Sequence, residues 1–226
     1  AINNALIEWV TLANVVNAGG DISDEAGNPT INTDAMRSVV EQLKSVADAG
    51  LMSPYGEDGY AMFQSGDVLF STDGTWTSTA HGSVEGLNFG VTNIYSVTPD
   101  KFTNRSSAHL FSLLNNEDRT DEKEQGVADF LSWMRENSLD WAGAGQIVAS
   151  KEVFESEEYQ QYPQSFFTSS DVEKEASYIF DYKYYSYVES ALGTVLSDMI
   201  YGNITIDEGL DQAQKTVEDL IAENAS

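Results

Sequence analysis

The chain has no cysteine and few basic residues. The absence of cysteine excludes disulfide bonds, thiolate zinc sites and cysteine nucleophiles. Only 11 Lys and Arg stand against 37 Asp and Glu in 226 residues, so the formal net charge is −26 at pH 7. A surface this negative repels a phosphate backbone. We therefore expect no nucleic acid partner.

Long apolar runs are also absent, because no stretch approaches the roughly 20 residues that span a bilayer. The first residues, Ala1-Ile2-Asn3-Asn4, lack the basic and apolar regions of a signal peptide. We expect a membrane connection only through a lipid anchor that this chain does not contain. Hydrophobic residues still make up 41% of the chain, which is enough for a folded core.

The motifs that identify common enzymes are missing. There is no P-loop, no Gly-x-Ser-x-Gly turn and no His-Glu-x-x-His helix, and Gly143–Val148 lacks the last glycine of a dinucleotide-binding motif. An acid-pair glycosidase stays an alternative, but 37 acidic residues supply carboxylate pairs by abundance alone. The sequence predicts a protein that is not an enzyme and has no cofactor.

The acidic segment from Asp21 to Pro29 raises the alternative of a calcium loop. An EF-hand loop counted from Asp21 requires Gly at its sixth position and Glu at its twelfth, where Ala26 and Asn32 stand. We interpret the segment as a surface loop or small hairpin and expect no metal site.

Apolar periodicity predicts several amphipathic helices. They cover residues 2–16, a stretch capped by Thr33 and stopped by Gly50, residues 121–137, a long stretch from Tyr184 to Met199, and a last helix with the capping box Thr205-x-x-Glu208. Short apolar runs predict strands at 68–71, 87–94 and 110–114. Many helices with few strands indicate an α/β fold.

Aromatic residues are the most informative side chains. Trp76 follows Gly74 and Thr75 at the end of a predicted strand, where ligands of open α/β domains bind. Tyr182, Tyr184, Tyr185 and Tyr187 cannot all be buried on one side of a helix. Rings with an apolar face and a polar tip suit a sugar, and core packing or a protein interface are the alternatives.

The order of these segments resembles the extracellular solute-binding proteins of carbohydrate ABC transporters, the maltodextrin-binding type (family 1). The resemblance lies in a short helix ending Phe63-x-x-Gly66, a strand, and the Gly74-Thr75-Trp76 turn. Further matches are the segments 27–32, 89–91, 145–149 and 202–210. Two departures are Ser106-Ser107, where the family often has Gly-Gly, and Val148, where it has proline.

The resemblance implies an α/β, periplasmic-binding-protein-like type II fold, present as a C-terminal lobe plus a partial piece of the N-terminal lobe. Residues 1–97 and 140–226 would then form the C-terminal lobe, and residues 98–139 the strand and helix that cross the hinge. The chain would be a C-terminal fragment. Since the helix of residues 98–139 would lack its natural partner, we expect it to pack elsewhere or to self-associate with a second copy.

The resemblance also implies a function: capture of a sugar or oligosaccharide between two lobes and delivery to an ABC transporter permease. The implied ligand-binding residues are Gly74, Thr75, Trp76, Ser107, His109, Gln146, Tyr184 and Tyr185. The implied location is extracellular, as a cell-surface lipoprotein or a periplasmic protein. The alternative is a surface module in which the tyrosines form a protein interface.

Overall fold

The computed structural model describes residues 2–116 and 118–224. Helices dominate these residues, and regular strand pairing is short. In chain order the elements are α1 (Ile7–Asn17), α2 (Asp34–Asp48), α3 (Gly59–Ser65), α4 (Ser78–Gly82), β1 (Asn104–Arg105), α5 (Asp121–Glu136), α6 (Ser138–Gly143), α7 (Lys151–Phe154), α8 (Asp171–Glu175), β2 (Ser177–Tyr178), α9 (Tyr185–Ile200) and α10 (Ile206–Glu223). Three 3-10 turns lie at Thr75–Thr77, Tyr159–Gln161 and Pro163–Thr168.

The described chain divides into two units, and each has its own contacts. The first unit contains residues 2–73, 93–106 and 175–224, and the second contains residues 74–92, 107–116 and 118–174. These boundaries differ from the predicted segments 1–97, 98–139 and 140–226, whose assignment to lobes stays a prediction.

The core of the first unit is built by four helices. Helix α9 packs against α10, α1 and α2. The side chains at this junction are fully buried, among them Leu12, Leu43, Leu192, Leu196 and Leu210. Burying each such side chain contributes about 1.5–3 kcal/mol, so this packing dominates the stability of the unit.

Local sequence determines where these helices begin. Thr33 accepts a hydrogen bond from the backbone N–H of Met36 at the start of α2. At the start of α10, Thr205 accepts from the N–H of Glu208, and the Glu208 carboxylate accepts from the N–H of Thr205. Both caps were predicted and are confirmed. Helix α5 begins at Asp121, as predicted, and its cap is Thr120, which accepts from the N–H of Lys123.

The three predicted strands are largely wrong. In 68–71 only Phe70 pairs, in a parallel bridge with Ile2, and residues 87–94 and 110–114 are irregular. A strand requires a neighbouring strand to bond its backbone, and among the described residues regular pairing is confined to β1 with β2. Near residue 94 side chains replace the ladder: Asn104 accepts from the N–H of Ile94, and Asn14 accepts from the N–H of Val97.

The segment 21–29 is a small hairpin closed by a bridge between Ser23 and Pro29. The Asp24 carboxylate accepts hydrogen bonds from the N–H groups of Ala26 and Asn28 and from the Asn28 amide. These bonds, led by the one from the Asn28 side chain, lower the pKa of Asp24. The carboxylate therefore serves the turn.

The second unit has a smaller core. Ala142, Val148 and Tyr159 are buried, and Phe154 and Tyr162 pack against them. None of the residues of α5 is buried in the described structure. Its apolar residues Phe130 and Leu131 are 47% and 41% exposed, and Leu110 and Leu114 of the preceding segment are 80% exposed or more. No helix among the described residues has the length and apolarity to cross a membrane.

Candidate functional site

The candidate site is centred on the turn that carries Trp76. Gly74 precedes a 3-10 turn of Thr75–Thr77, which leads directly into α4. The carbonyl of Gly74 accepts from the N–H of Thr77 at 3.0 Å and from its hydroxyl at 2.8 Å. The hydroxyl of Ser78 donates to the carbonyl of Thr75 at 2.7 Å. These bonds fix the backbone on both sides of Trp76.

The indole ring of Trp76 packs against Gly74. A β-carbon at Gly74 would lie 2.1 Å from two atoms of the six-membered ring, Cη2 and Cζ3. Any other residue at this position would displace the ring, since non-bonded carbon atoms approach to about 3.5 Å. Trp76 is nevertheless 48% exposed. The turn therefore presents a supported aromatic surface to solvent.

A second glycine supports the same turn from the loop after α6. Gly145 has φ +87°, and a β-carbon there would lie 2.4 Å from the carbonyl oxygen of Thr75 and 3.0 Å from Cα of Trp76. The hydroxyl of Thr79 donates to the carbonyl of Gly143 at 3.1 Å. The loop 143–146 thus lies directly against the Trp76 turn and places Gln146, which is half-buried, next to Gly145.

His109 and Ser107 lie in the irregular, exposed segment of the second unit. The imidazole of His109 contacts Trp141 edge to face, with ring centroids 6.1 Å apart. Trp141 is 45% exposed and is a second aromatic surface of this unit. Sequence reasoning missed it because α6 is too short for a clear apolar period.

Tyr184 and Tyr185 lie in the first unit, at the start of α9. The Tyr184 ring stacks on Tyr187 at 5.8 Å, and its hydroxyl accepts from the ammonium of Lys183 at 3.1 Å. Tyr184 is half-buried. Part of its surface is therefore open to a ligand.

Tyr185 is engaged in the structure of the first unit. Its hydroxyl accepts from Nε of Arg105 at 2.7 Å, and the same guanidinium bonds the carboxylate of Glu189 at 2.7 Å. Burial is the main cause that raises the pKa of Tyr185, followed by its bond to Glu189. The Arg105 guanidinium also lies 4.2 Å from the ring centroid of Trp9. Tyr185 thus anchors a buried cation, a role that sequence reasoning missed.

The described residues show two further features. No group of three or more His, Asp or Glu among them is arranged to hold a metal ion. A groove of about 690 Å³ runs between the segment near Leu113 and the start of α5, where Arg119, Lys123 and Val127 line it. None of the predicted site residues lines this groove.

Comparison with known proteins places this geometry in context. Residues 1–168 match the family described as bacterial extracellular solute-binding protein. A search of curated proteins finds no match. Solved structures with the same fold include a cyclic α-maltosyl-1,6-maltose binding protein from Arthrobacter globiformis, with a TM-score of 0.70 and 17% identity over 99% of this chain and 60% of that one.

Two other structures have a similar fold. The maltose/maltodextrin-binding domain from Bdellovibrio bacteriovorus, bound to maltotriose, has a TM-score of 0.74 and 15% identity over 98% of this chain and 59% of that one. UgpB from Mycobacterium tuberculosis, in complex with glycerophosphocholine, has a TM-score of 0.70 and 12% identity over 100% and 58%. The chain thus spans about three fifths of the length of the structures it matches. The predicted periplasmic-binding-protein-like α/β fold is confirmed.

Proposed function

We propose that this chain, which belongs to the bacterial extracellular solute-binding proteins, contributes the sugar-binding surface of an ABC importer's receptor. The observation that carries this proposal is the Trp76 turn. Its indole is backed by Gly74 and fixed through Gly145, yet remains 48% exposed. Two of the structures with this fold are maltose-type binding proteins by their descriptions, which supports a carbohydrate as the solute.

Binding on this account needs no chemical step. The apolar face of a sugar ring lies on the indole, and polar groups beside it bond the hydroxyls. Gln146 is the nearest candidate for a hydroxyl contact, because it follows the glycine that touches the Trp76 turn. Ser107 and His109, in the same unit, are further candidates. The 37 acidic residues serve solubility.

The expected affinity of the chain by itself is low. If Trp76 covers about 100 Å² of apolar sugar surface, the contact contributes about 2.5 kcal/mol at 25 cal/mol per Å². A millimolar dissociation constant requires about 4 kcal/mol and a micromolar one about 8 kcal/mol. On this proposal, hydrogen bonds from the second unit supply the difference between the stacking contribution and the free energy of millimolar binding. We infer that micromolar binding needs the further part of the fold that the matched structures possess.

We propose an extracellular or periplasmic location and a permease as the protein partner. We further propose that a lipid anchor attaches the protein to the cell surface. The family description supports a position outside the cytoplasmic membrane. The proposal requires that the loaded receptor, and not the sugar alone, reaches the permease.

We also propose that the exposed apolar surface of the second unit pairs with a second copy of the chain. This surface, formed by Leu110, Phe111, Leu114, Phe130 and Leu131, is 41–84% exposed at every one of these residues. The ring centroids of Phe111 and Phe130 are 5.6 Å apart, so the segment before α5 and α5 itself contribute to the same surface. A concentration-dependent dimer in sedimentation equilibrium supports the pairing, and a strict monomer with α5 ordered contradicts it.

The class of solute is tested by saturation-transfer NMR, which detects millimolar binding. We expect transfer from the protein to the ring protons of maltotriose at about 10 mM, a concentration that populates a millimolar complex. Glycerophosphocholine at the same concentration is the matched non-saccharide probe. Transfer to it with none to maltotriose or other oligosaccharides would reject a carbohydrate ligand.

A further inference from the structure

Gln164 is a buried polar side chain outside the Trp76 turn. It lies in the 3-10 turn Pro163–Thr168 and is 1% exposed. Its amide Nε2 donates to the carbonyl of Ala142 at 2.7 Å and lies 3.5 Å from the carbonyl of Gln146. Because both neighbours are acceptors, the amide nitrogen and not Oε1 must face them. The orientation of the side chain is therefore determined.

The two carbonyls that Gln164 meets stand at the two ends of one loop. Between Ala142 and Gln146 lies Gly145, where an added β-carbon would stand 2.4 Å from the Thr75 carbonyl oxygen. The carbonyl of Ala142 also accepts from the N–H of Gly145 at 2.9 Å, which closes the loop. One buried amide thus contacts the carbonyls at both ends of the loop.

Within the described chain, burying the Gln164 amide leaves one of its two polar atoms without a hydrogen bond. Oε1 of Gln164 is buried and has no hydrogen-bond partner among the described residues. A buried polar atom without a partner destabilises the folded state, and an apolar side chain of the same length would avoid that penalty. The donor of Gln164 is the only part of the amide that the surrounding structure uses.

We propose that Gln164 is a positioning residue for Trp76. Its amide fixes the loop 142–146, the loop holds Gly145 against Thr75, and the orientation of the indole follows from that contact. Gln164 does not touch the ligand on this account. The consequence for sugar binding rests on the proposed function, whereas the positioning of the indole does not.

The experiment uses 5-fluorotryptophan and ¹⁹F NMR, with the Trp76 resonance assigned by Trp76→Phe. The test variant is Gln164→Met, which keeps the length of the side chain and removes the donor. The matched control is Gln160→Met, because Gln160 is exposed and also donates to a backbone carbonyl, that of Phe154 at 2.6 Å. We expect the first variant to shift the Trp76 resonance and increase its relaxation by a soluble paramagnetic probe. The control leaves both at their wild-type values, and Trp9 of the first unit is unchanged in all variants.

Gln164→Glu provides a second test that does not depend on the stability of the methionine variant. The protonated carboxyl donates through its O–H, whereas the ionised form has only acceptors to present to the two carbonyls. Burial raises the pKa of such a carboxyl. We expect a Trp76 resonance like that of the wild type at low pH, and its loss as pH rises through that pKa, with the wild-type protein measured at each pH.

A Trp76 resonance that stays at its wild-type position in folded Gln164→Met, or that does not follow pH in Gln164→Glu, overturns the proposal. Saturation transfer to maltotriose separates this from a failure of the proposed function. If Trp76 moves in Gln164→Met while the wild-type protein binds no saccharide, the sugar-binding function fails and the positioning stands. If the wild-type protein binds, we expect about tenfold weaker binding in Gln164→Met.

Discussion

Gly145 lies so close to Thr75 that a β-carbon on Gly145 would stand 2.4 Å from the Thr75 carbonyl oxygen. This contact joins two segments separated by about 70 residues and holds the backbone that carries Trp76. Two independent features require glycine at this position: the close contact with Thr75, and a backbone φ of +87°. The exposed indole is therefore a rigidly supported surface, which is the property that a binding platform requires.

Gly145→Ala tests this contact. The substitution adds the strain of a left-handed backbone, about 1–2 kcal/mol, and a clash with backbone atoms that resembles overpacking, about 1–3 kcal/mol. The loss in the free energy of unfolding is measured by urea denaturation, with tryptophan fluorescence as the signal. Gly86→Ala is the matched control, because Gly86 has φ +84° and nothing within 4 Å of a β-carbon. Equal losses in the two variants would contradict the contact.

Gly74→Ala tests the support of the indole. The new methyl group would occupy space that the Trp76 ring now fills, so we expect the ring to rotate away and become more accessible to acrylamide. The fold should survive, because the obstacle is a side chain and not backbone. Gly82→Ala in the adjacent helix is the control, since a β-carbon at Gly82 meets nothing within 4 Å. Unchanged quenching of Trp76 in Gly74→Ala would show that the ring does not depend on Gly74.

Arg105→Lys tests the buried cation of the first unit. Lysine keeps the charge but cannot stack on Trp9 and Tyr185 while bonding Glu189. We expect a loss of about 1–2 kcal/mol in the free energy of unfolding, on the scale of desolvated cation–π contacts. Arg37→Lys is the control, since Arg37 pairs with Asp207, whose side chain is 74% exposed, and the substitution should cost under about 1 kcal/mol. Similar losses of unfolding free energy in the two variants would show that Arg105 contributes no more to stability than a surface charge does.

Glu8→Gln tests a pH dependence of stability. Burial raises the pKa of Glu8, the negative charge of Glu189 raises it further, and Arg105 opposes them. A raised folded-state pKa means that ionisation of Glu8 weakens folding, and this penalty appears as pH rises from the unfolded-state pKa toward the folded-state pKa. We expect Glu8→Gln to have the higher melting temperature at pH 7 and none of that advantage at pH 3. Glu41→Gln, at an exposed position of α2, is the matched control, and the same gain in melting temperature there would contradict an effect specific to Glu8.

The sequence predicted those elements that depend on local rules. The caps Thr33 and Thr205, the periodic apolar faces of α2, α9 and α10, and the glycine that ends α3 at Gly66 all follow from neighbouring residues. The predicted strands were wrong because strand pairing depends on segments that are far apart in the sequence. The run Leu110–Leu114 has strand composition, but in the described structure no neighbouring strand bonds it.

The candidate site divides in the same way. Gly74, Thr75 and Trp76 could be selected from a short motif, because the turn is local. Gln164 carries no signal in its own segment, since its importance arises from carbonyls 18 and 22 residues away. Tyr185 looked like an exposed ring beside Tyr184, and only the fold shows that Arg105 engages its hydroxyl.

The most direct test of sugar binding through Trp76 is saturation-transfer NMR with maltotriose on three proteins: wild type, Trp76→Ala and Trp133→Ala. Trp133 lies in α5 and is 56% exposed. The variant Trp133→Ala therefore removes an exposed indole outside the Trp76 turn. We predict transfer in the wild type and in Trp133→Ala, and a loss of more than about tenfold in Trp76→Ala, since the stacked ring contributes about 2.5 kcal/mol. Equal transfer in Trp76→Ala and the wild type would contradict the role of Trp76 as the sugar platform.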